Sequence, residues 1–268
     1  MMAPKELDAW LQAQADAFPG KCAYLVADTL SDAPLHARME EVVFPSASLI
    51  KTPILLAALE QVRQGLLALD DMLEVPQQAI LPDTAVFEEG PCRCTLQELL
   101  FWMIVNSDNT ATNVILDILG FDAVNEYSAL VLGLKHTLCQ RKMLDFEAAS
   151  QGFDNITCAA DQRRLYCLLR DNCILNPNLR RTAISILCRQ RSQSSALRYI
   201  ADELLFAHKT GGLDGVAHDC GLFLSSTPPL FLGVFTWEGP SPDGDSGQKR
   251  FIGRLSKAIF DTYKEVRV

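Results

Sequence analysis

The chain has 268 residues, 49% hydrophobic and 21% charged, a globular composition that excludes general disorder. Its 24 basic and 33 acidic residues leave a net charge of −9, which argues against nucleic acid, since a phosphate backbone demands a basic footprint. No apolar run reaches the roughly 18–20 residues of a membrane span, so a membrane is not an expected partner either.

The elements follow in chain order. Residues 5–18 carry Leu7, Trp10, Leu11 and Ala15 at helical spacing, closed by Pro19-Gly20. Residues 22–29 read as a buried strand, and Val42-Val43-Phe44 as the end of a later one. Residues 48–69 read as one long helix, bent slightly at Pro53. Residues 70–93 hold Pro76, Pro82, Gly90 and Pro91 and read mostly as loop. Thr95-Leu96-Gln97-Glu98 is a capping-box pattern that starts a helix through residue 105. Helices are expected over 109–119 and 122–132, an irregular stretch over 140–155, and helices again over 157–169 and 178–188. Residues 204–209, 215–225 and 230–238 read as strands, 238–247 as a loop, and 249–266 as an amphipathic helix.

This order predicts an α+β fold. The chain ends, 1–45 and 195–268, form an antiparallel sheet with flanking helices, and 46–194 form a mainly helical subdomain. The cleft between the two parts is the expected place for a small-molecule site, and the chain is expected to act as a monomer. The start, Met1-Met2-Ala3-Pro4-Lys5, lacks the basic and apolar segments of a signal peptide. The expected location is therefore cytoplasmic, with export only if a leader has been removed. Nine cysteines with no CxxC pair fit small core hydrophobes in a reducing compartment. Cys92-x-Cys94 is a weak pattern for a metal, and no metal or cofactor is expected.

Three short motifs stand in order: Ser48-Leu49-Ile50-Lys51 opening the long helix, Ser107-Asp108-Asn109 at a helix junction, and Lys209-Thr210-Gly211 ending a strand. Each alone is weak, being readable as a helix cap, a pair of caps and a hairpin turn. Together with the flanking Phe44-Pro45-Ser46-Ala47, Thr110-Ala111-Thr112-Asn113 and Gly212, they make the chain resemble the serine β-lactamase and penicillin-binding-protein superfamily, class A in particular, over nearly its whole length. A serine hydroxyl needs a base beside it to become a nucleophile. Ser48 and Lys51 are one helical turn apart on one face. A lysine serves as that base only when desolvation or a nearby cation removes its proton, and Lys209 can supply the cation.

The resemblance implies further roles. Ser107 relays a proton to the leaving nitrogen, Asn109 orients substrate or Lys51, and Lys209 and Thr210 bind the substrate carboxylate. Gly211 and Gly212 admit a close backbone, and the N–H groups of Ser48 and Gly212 form the oxyanion hole. Asp108 is read as a cap without chemistry. Class A members also use a loop glutamate to activate the deacylating water. Glu147, in Leu144-Asp145-Phe146-Glu147, is the candidate, with Gln151 or Asn155 to orient the water. The strand after the third motif has no arginine, so Arg250 or Arg254 is the candidate carboxylate anchor, and His218 and Asp219 are possible polar site residues. His208 is expected on the opposite strand face from Lys209.

The expected function is thus a class A β-lactamase-like serine hydrolase working through a Ser48 acyl-enzyme. The alternatives are a D-Ala-D-Ala peptidase, amidase or esterase of the same fold, or a penicillin-binding sensor that acylates without turnover.

Overall fold

A computed structural model describes residues 2–28, 33–226, 228–240 and 246–264. The fold is α+β. Strands β1 (Lys21–Asp28), β2 (His36–Arg38), β7 (Phe206–Leu213), β8 (Val216–Phe223) and β9 (Leu230–Trp237) form one antiparallel sheet in the order β2-β1-β9-β8-β7. The strands from the two chain ends meet where β1 pairs with β9, Lys21 opposite Trp237.

Both faces of this sheet are covered, and the alternation along β1 shows it. Ala23, Leu25 and Ala27 enter one core, whereas Cys22, Tyr24 and Val26 enter the other. Helices α1 (Pro4–Asp16) and α9 (Ser246–Tyr263) supply the second core through Leu7, Leu11, Ile252, Leu255 and Ile259. The first core lies under the helical part of the chain. That part includes α2 (Lys51–Arg63), α3 (Leu96–Val105), α4 (Asn109–Leu119), α5 (Phe121–Glu126), α7 (Ala159–Arg170) and α8 (Pro177–Leu187). Strands buried on both faces read as near-continuous apolar runs, and β8 and β9 are buried throughout.

Several boundaries differ from the sequence expectation. The long helix is a 3₁₀ turn at Ala47–Ile50 followed by α2, which stops at Arg63 before Gly65 at φ 75°. Pro53 falls in the first turn of α2, where proline is tolerated. Within 70–93, β4 (Met72–Val75) pairs with β5 (Cys92–Thr95), so the proline-rich stretch is the loop of a hairpin. After α5 the helix continues as a π turn, Tyr127–Val131. The stretch 140–155 contains a short helix, α6 (Phe146–Ser150), and leads into β6 (Ile156–Thr157), which pairs with β3 (Phe44–Pro45). The Thr95–Glu98 capping box forms as read, with Glu98 N–H donating to Thr95 Oγ1 at 3.2 Å and Thr95 N–H to Glu98 Oε2 at 2.8 Å. Residues 29, 241–245 and 265–266, to which three expected elements extend, lie outside the described residues.

Candidate active site

The three motifs converge where the 3₁₀ turn, the α3–α4 junction and the middle of β7 meet. Ala47, at φ 46°, turns the chain out of β3 and into the 3₁₀ turn, leaving Ser48 partly exposed. The turn lies against β7 at Gly211. A Cβ on Gly211 would sit 3.1 Å from Ser46 O and 3.2 Å from Ala47 Cβ, so only glycine fits without displacing the segment that carries Ser48. At Gly212 a Cβ would meet Val216 O at 3.9 Å, an ordinary contact. The close-approach requirement therefore belongs to Gly211 alone. Lys209, Thr210 and Gly211 lie within β7, not at its end.

Lys51 and Lys209 are both fully buried. Lys51 Nζ donates to Ser107 O at 2.5 Å, to Asn109 Oδ1 at 2.6 Å and to Ser107 Oγ at 3.3 Å. Lys209 Nζ donates to the same Ser107 Oγ at 2.9 Å and to Thr210 O at 2.8 Å. The Ser107 hydroxyl thus stands between two buried amines. Ser107 has φ 56°, a left-handed conformation that non-glycine residues hold at a cost and that is frequent at functional sites. Asp108 beside it caps α4, accepting from Ala111 N–H at 2.7 Å and Thr84 Oγ1 at 2.5 Å. Asn109 Nδ2 donates to Asp83 Oδ2 at 2.6 Å, which fixes its oxygen toward Lys51.

Burial costs an ammonium its hydration, and a second cation adds repulsion. Desolvation, then the charge of Lys209, hold Lys51 well below the ordinary lysine value. Desolvation likewise lowers Lys209, to about 7, against the opposing charge of Asp219.

A narrow cleft of about 60 Å³ opens at Ser48, lined by Ala47, Asn109, Arg141, Met143, Leu144, Asn155, Gly212 and Leu213. Ser48 and Gly212, the two expected oxyanion donors, share it. Asn155 is buried in this wall, but its side chain serves the backbone. Its Oδ1 accepts from Gln140 N–H at 2.7 Å and Arg141 N–H at 3.1 Å, and its Nδ2 donates to Arg141 O at 3.1 Å.

The structure does not bring Glu147 to this cluster. Glu147 is exposed on α6 and is not among the residues lining the cleft. The local cause is backbone. Leu144 turns at φ 61°, and Asp145 then caps α6 by accepting from Ala148 N–H at 3.0 Å. Gln151, just after α6, is exposed as well. Met143, one of the loop residues that line the cleft, is held by Asn113 through both backbone groups: Met143 N–H donates to Asn113 Oδ1 at 2.8 Å, and Asn113 Nδ2 donates to Met143 O at 3.2 Å. Asn113 stands in the quoted motif stretch, but its role as a clamp depends on a residue thirty positions on.

The arginine candidates also lie elsewhere. Arg254 is over the Phe251 ring and lines a separate hollow with Trp10 and Tyr199, while Arg250 is exposed; neither lines the Ser48 cleft. Helix α9 packs with α1 on the sheet face opposite to the core that the other helices cover, so its side chains start from the wrong side. His218 is buried beneath Gly211 and pairs with Pro45 O at 2.9 Å through Nε2. Desolvation lowers its pKa to about 4, so it is neutral and offers no cationic anchor. Asp219 is buried on the far face, sharing a 2.8 Å hydrogen bond with His208 Nδ1 and accepting from Ala196 N–H at 2.9 Å.

All nine cysteines are free thiols. Cys92 and Cys94 Sγ lie 3.6 Å apart on β5, and no group of three or more metal-ligating side chains is present among the described residues. No helix among those residues is long and apolar enough to cross a membrane.

Comparison with known proteins agrees with this geometry. Residues 5–263 match the family model described as the β-lactamase enzyme family. β-Lactamase VEB-1 of Pseudomonas aeruginosa is 32% identical over 239 residues, covering 82% of this chain and 78% of its own. A β-lactamase of Sphaerobacter thermophilus superposes with a TM-score of 0.85 at 25% identity, covering 97% of each chain. A class A β-lactamase of Bacteroides cellulosilyticus gives 0.86 at 21% identity over 98% and 99% of the two chains, a likeness of fold. With its two buried lysines meeting at Ser107, on this sheet and beside these helices, the chain belongs to the β-lactamase enzyme family.

Proposed function

We propose that Ser48 is the nucleophile and Lys51 its base in a serine hydrolase that opens β-lactam amides. The observation that carries this reading is the convergence of two fully buried lysines on Ser107 Oγ, with Lys51 one turn from Ser48 and also bonded to Asn109, which lines the Ser48 cleft. Two ammonium groups cannot both stay charged in such a site. Lys51, the more strongly opposed, is the neutral one and can accept a proton; Lys209 keeps the charge at lower pH. Ser48 Oγ gives its proton to Lys51 and bonds to the lactam carbonyl carbon. The C–N bond then breaks, and the nitrogen takes that proton through Ser107. Gly212 and Ser48 N–H groups face the developing oxyanion, each such donor being worth roughly 3 kcal/mol of barrier. Lys209 and Thr210 take the substrate carboxylate, and Asn109 holds Lys51. The substrate is a small molecule, the protein acts as a monomer, and the free thiols support a reducing compartment.

Nitrocefin opening tests this assignment. Ser48→Ala should lower the rate by about a thousandfold or more, since loss of a catalytic nucleophile leaves only binding and oxyanion stabilisation. Equal rates in the two proteins would falsify Ser48 as the nucleophile. A panel of p-nitrophenyl esters and D-Ala-D-Ala peptides, read with the same pair, separates lactamase from peptidase or esterase action.

The pH profile tests the lysines separately. Lys51 is active when neutral, so acylation rises as pH passes its lowered pKa. Lys209 binds carboxylate when charged, and that charge is lost as pH rises through about 7. With a penicillin, kcat/KM for acylation should therefore fall above about pH 7. With a neutral ester lacking the carboxylate, the alkaline fall should be absent. An identical fall for both substrates removes Lys209 from carboxylate binding.

A further inference from the structure

Opening a lactam leaves an ester on Ser48, and the hydrolysis of that ester has its own requirements. Water must bond to the ester carbonyl carbon, the C–Oγ bond must break, and one water proton must reach Ser48 Oγ. A base that helps must lie within hydrogen-bond reach of that water. The loop side of the Ser48 cleft is Arg141, Met143, Leu144 and Asn155, with Asn109 opposite. A guanidinium, a thioether, an alkyl chain and two amides accept no proton at neutral pH. Resting on the reading that Ser48 becomes acylated, we infer that no carboxylate serves the Ser48 ester, and that Met143 is the residue that sets how long the ester lasts.

Three observations support this. Met143 is buried, and both of its backbone polar groups are held by the buried Asn113. Its backbone is therefore fixed at this point of the loop, so a neighbour does not take its place by a shift of register. Glu147 is four residues on, beyond the left-handed turn at Leu144 and on a capped helix that faces solvent. The loop is tied at its base, where Arg141 Nε donates to Asp154 Oδ1 at 2.8 Å and Asn155 clamps Gln140 and Arg141. Bringing Glu147 to the cleft would require undoing these contacts together. Met143 thus presents an apolar group where a water would need an acceptor. The enzyme opens lactams and releases the product slowly, so deacylation limits turnover.

Intact-protein mass spectrometry after mixing with penicillin G, followed by removal of free drug, reads the adduct lifetime directly. The wild-type adduct should persist on the order of minutes or longer. Glu147→Gln should leave that lifetime within about twofold. Met143→Glu places a carboxylate at the cleft and should shorten it roughly tenfold or more, because a positioned general base contributes about 10²–10⁴ in rate. Ser48-dependent turnover with a wild-type adduct too brief to detect overturns the inference while leaving Ser48 acylation standing. So does a lifetime lengthened tenfold by Glu147→Gln, or one unmoved by Met143→Glu in a folded variant. Neither adduct nor Ser48-dependent opening in the wild type overturns the acylation reading itself.

Discussion

Replacing Lys51 with Met should lower Ser48 acylation by about 10³-fold and flatten the pH dependence of stability. The first effect follows from removing the buried amine of lowered pKa, one turn from Ser48, that is proposed as its base; general-base contributions run to about 10⁴. The second follows from linkage. In the unfolded chain Lys51 is an ordinary lysine and binds its proton up to about pH 10.4. In the folded protein desolvation and Lys209 push its pKa well down. Between those two values the unfolded state holds the extra proton, so the stability of the wild type rises with pH. Each group in that position adds up to about 1.4 kcal/mol per pH unit. Lys209, lowered to about 7, contributes in the same direction above that pH. Lys51→Met removes one of the two contributions. Urea unfolding at pH 7, 8 and 9 should therefore give a slope smaller than the wild type's by about 1.4 kcal/mol per unit. The variant also leaves Ser107 O and Asn109 Oδ1 without their donor, so its absolute stability mixes two opposed terms and the slope is the informative quantity. Equal slopes would mean that Lys51 is charged in the folded state and cannot be the base.

The chemistry at this site was legible because its residues are local. Ser48 and Lys51 share one turn, Ser107 and Asn109 share one junction, and the opposite facing of His208 and Lys209 follows from strand parity. The capping box at Thr95 is equally local. What the sequence did not reveal depends on partners far along the chain. Leu144-Asp145-Phe146-Glu147 offers an acid in the right neighbourhood, but Met143 rather than Glu147 lines the Ser48 cleft, and the Met143 backbone is gripped by Asn113. No window around the loop contains that information. The hairpin of β4 and β5 escaped because its short strands are exposed and carry little hydrophobic alternation. Arg250 and Arg254 looked available as anchors because spacing along α9 says nothing about which side of the sheet the helix covers. The buried lysine pair could be anticipated as chemistry, but the sharing of Ser107 Oγ between them is a property of the packed core.

The other large expected effect lies behind the site, at Asp219. This carboxylate is wholly buried, with one oxygen paired to His208 Nδ1 and the other accepting from Ala196 N–H. Asp219→Ala leaves both partners buried and unpaired and opens a void between β8 and the segment at Ala196. Each buried donor left without its acceptor costs about 1–3 kcal/mol, so the two together should lower Tm by roughly 10 °C in a chain of this size. Asp219→Asn separates shape from charge. It retains the volume and one acceptor, so it should unfold at a temperature between those of the wild type and Asp219→Ala. Its electrostatic consequence is distinct. The charge of Asp219 is the first of the influences that hold Lys209 in its ammonium form against desolvation. Neutralising it lowers the Lys209 pKa further below about 7. The alkaline fall of penicillin acylation should then move to lower pH in Asp219→Asn, while acylation by a neutral ester should show no such movement. A penicillin profile that keeps its wild-type alkaline limb in a folded Asp219→Asn protein would reduce Asp219 to a packing residue and assign the charge of Lys209 to the substrate carboxylate alone.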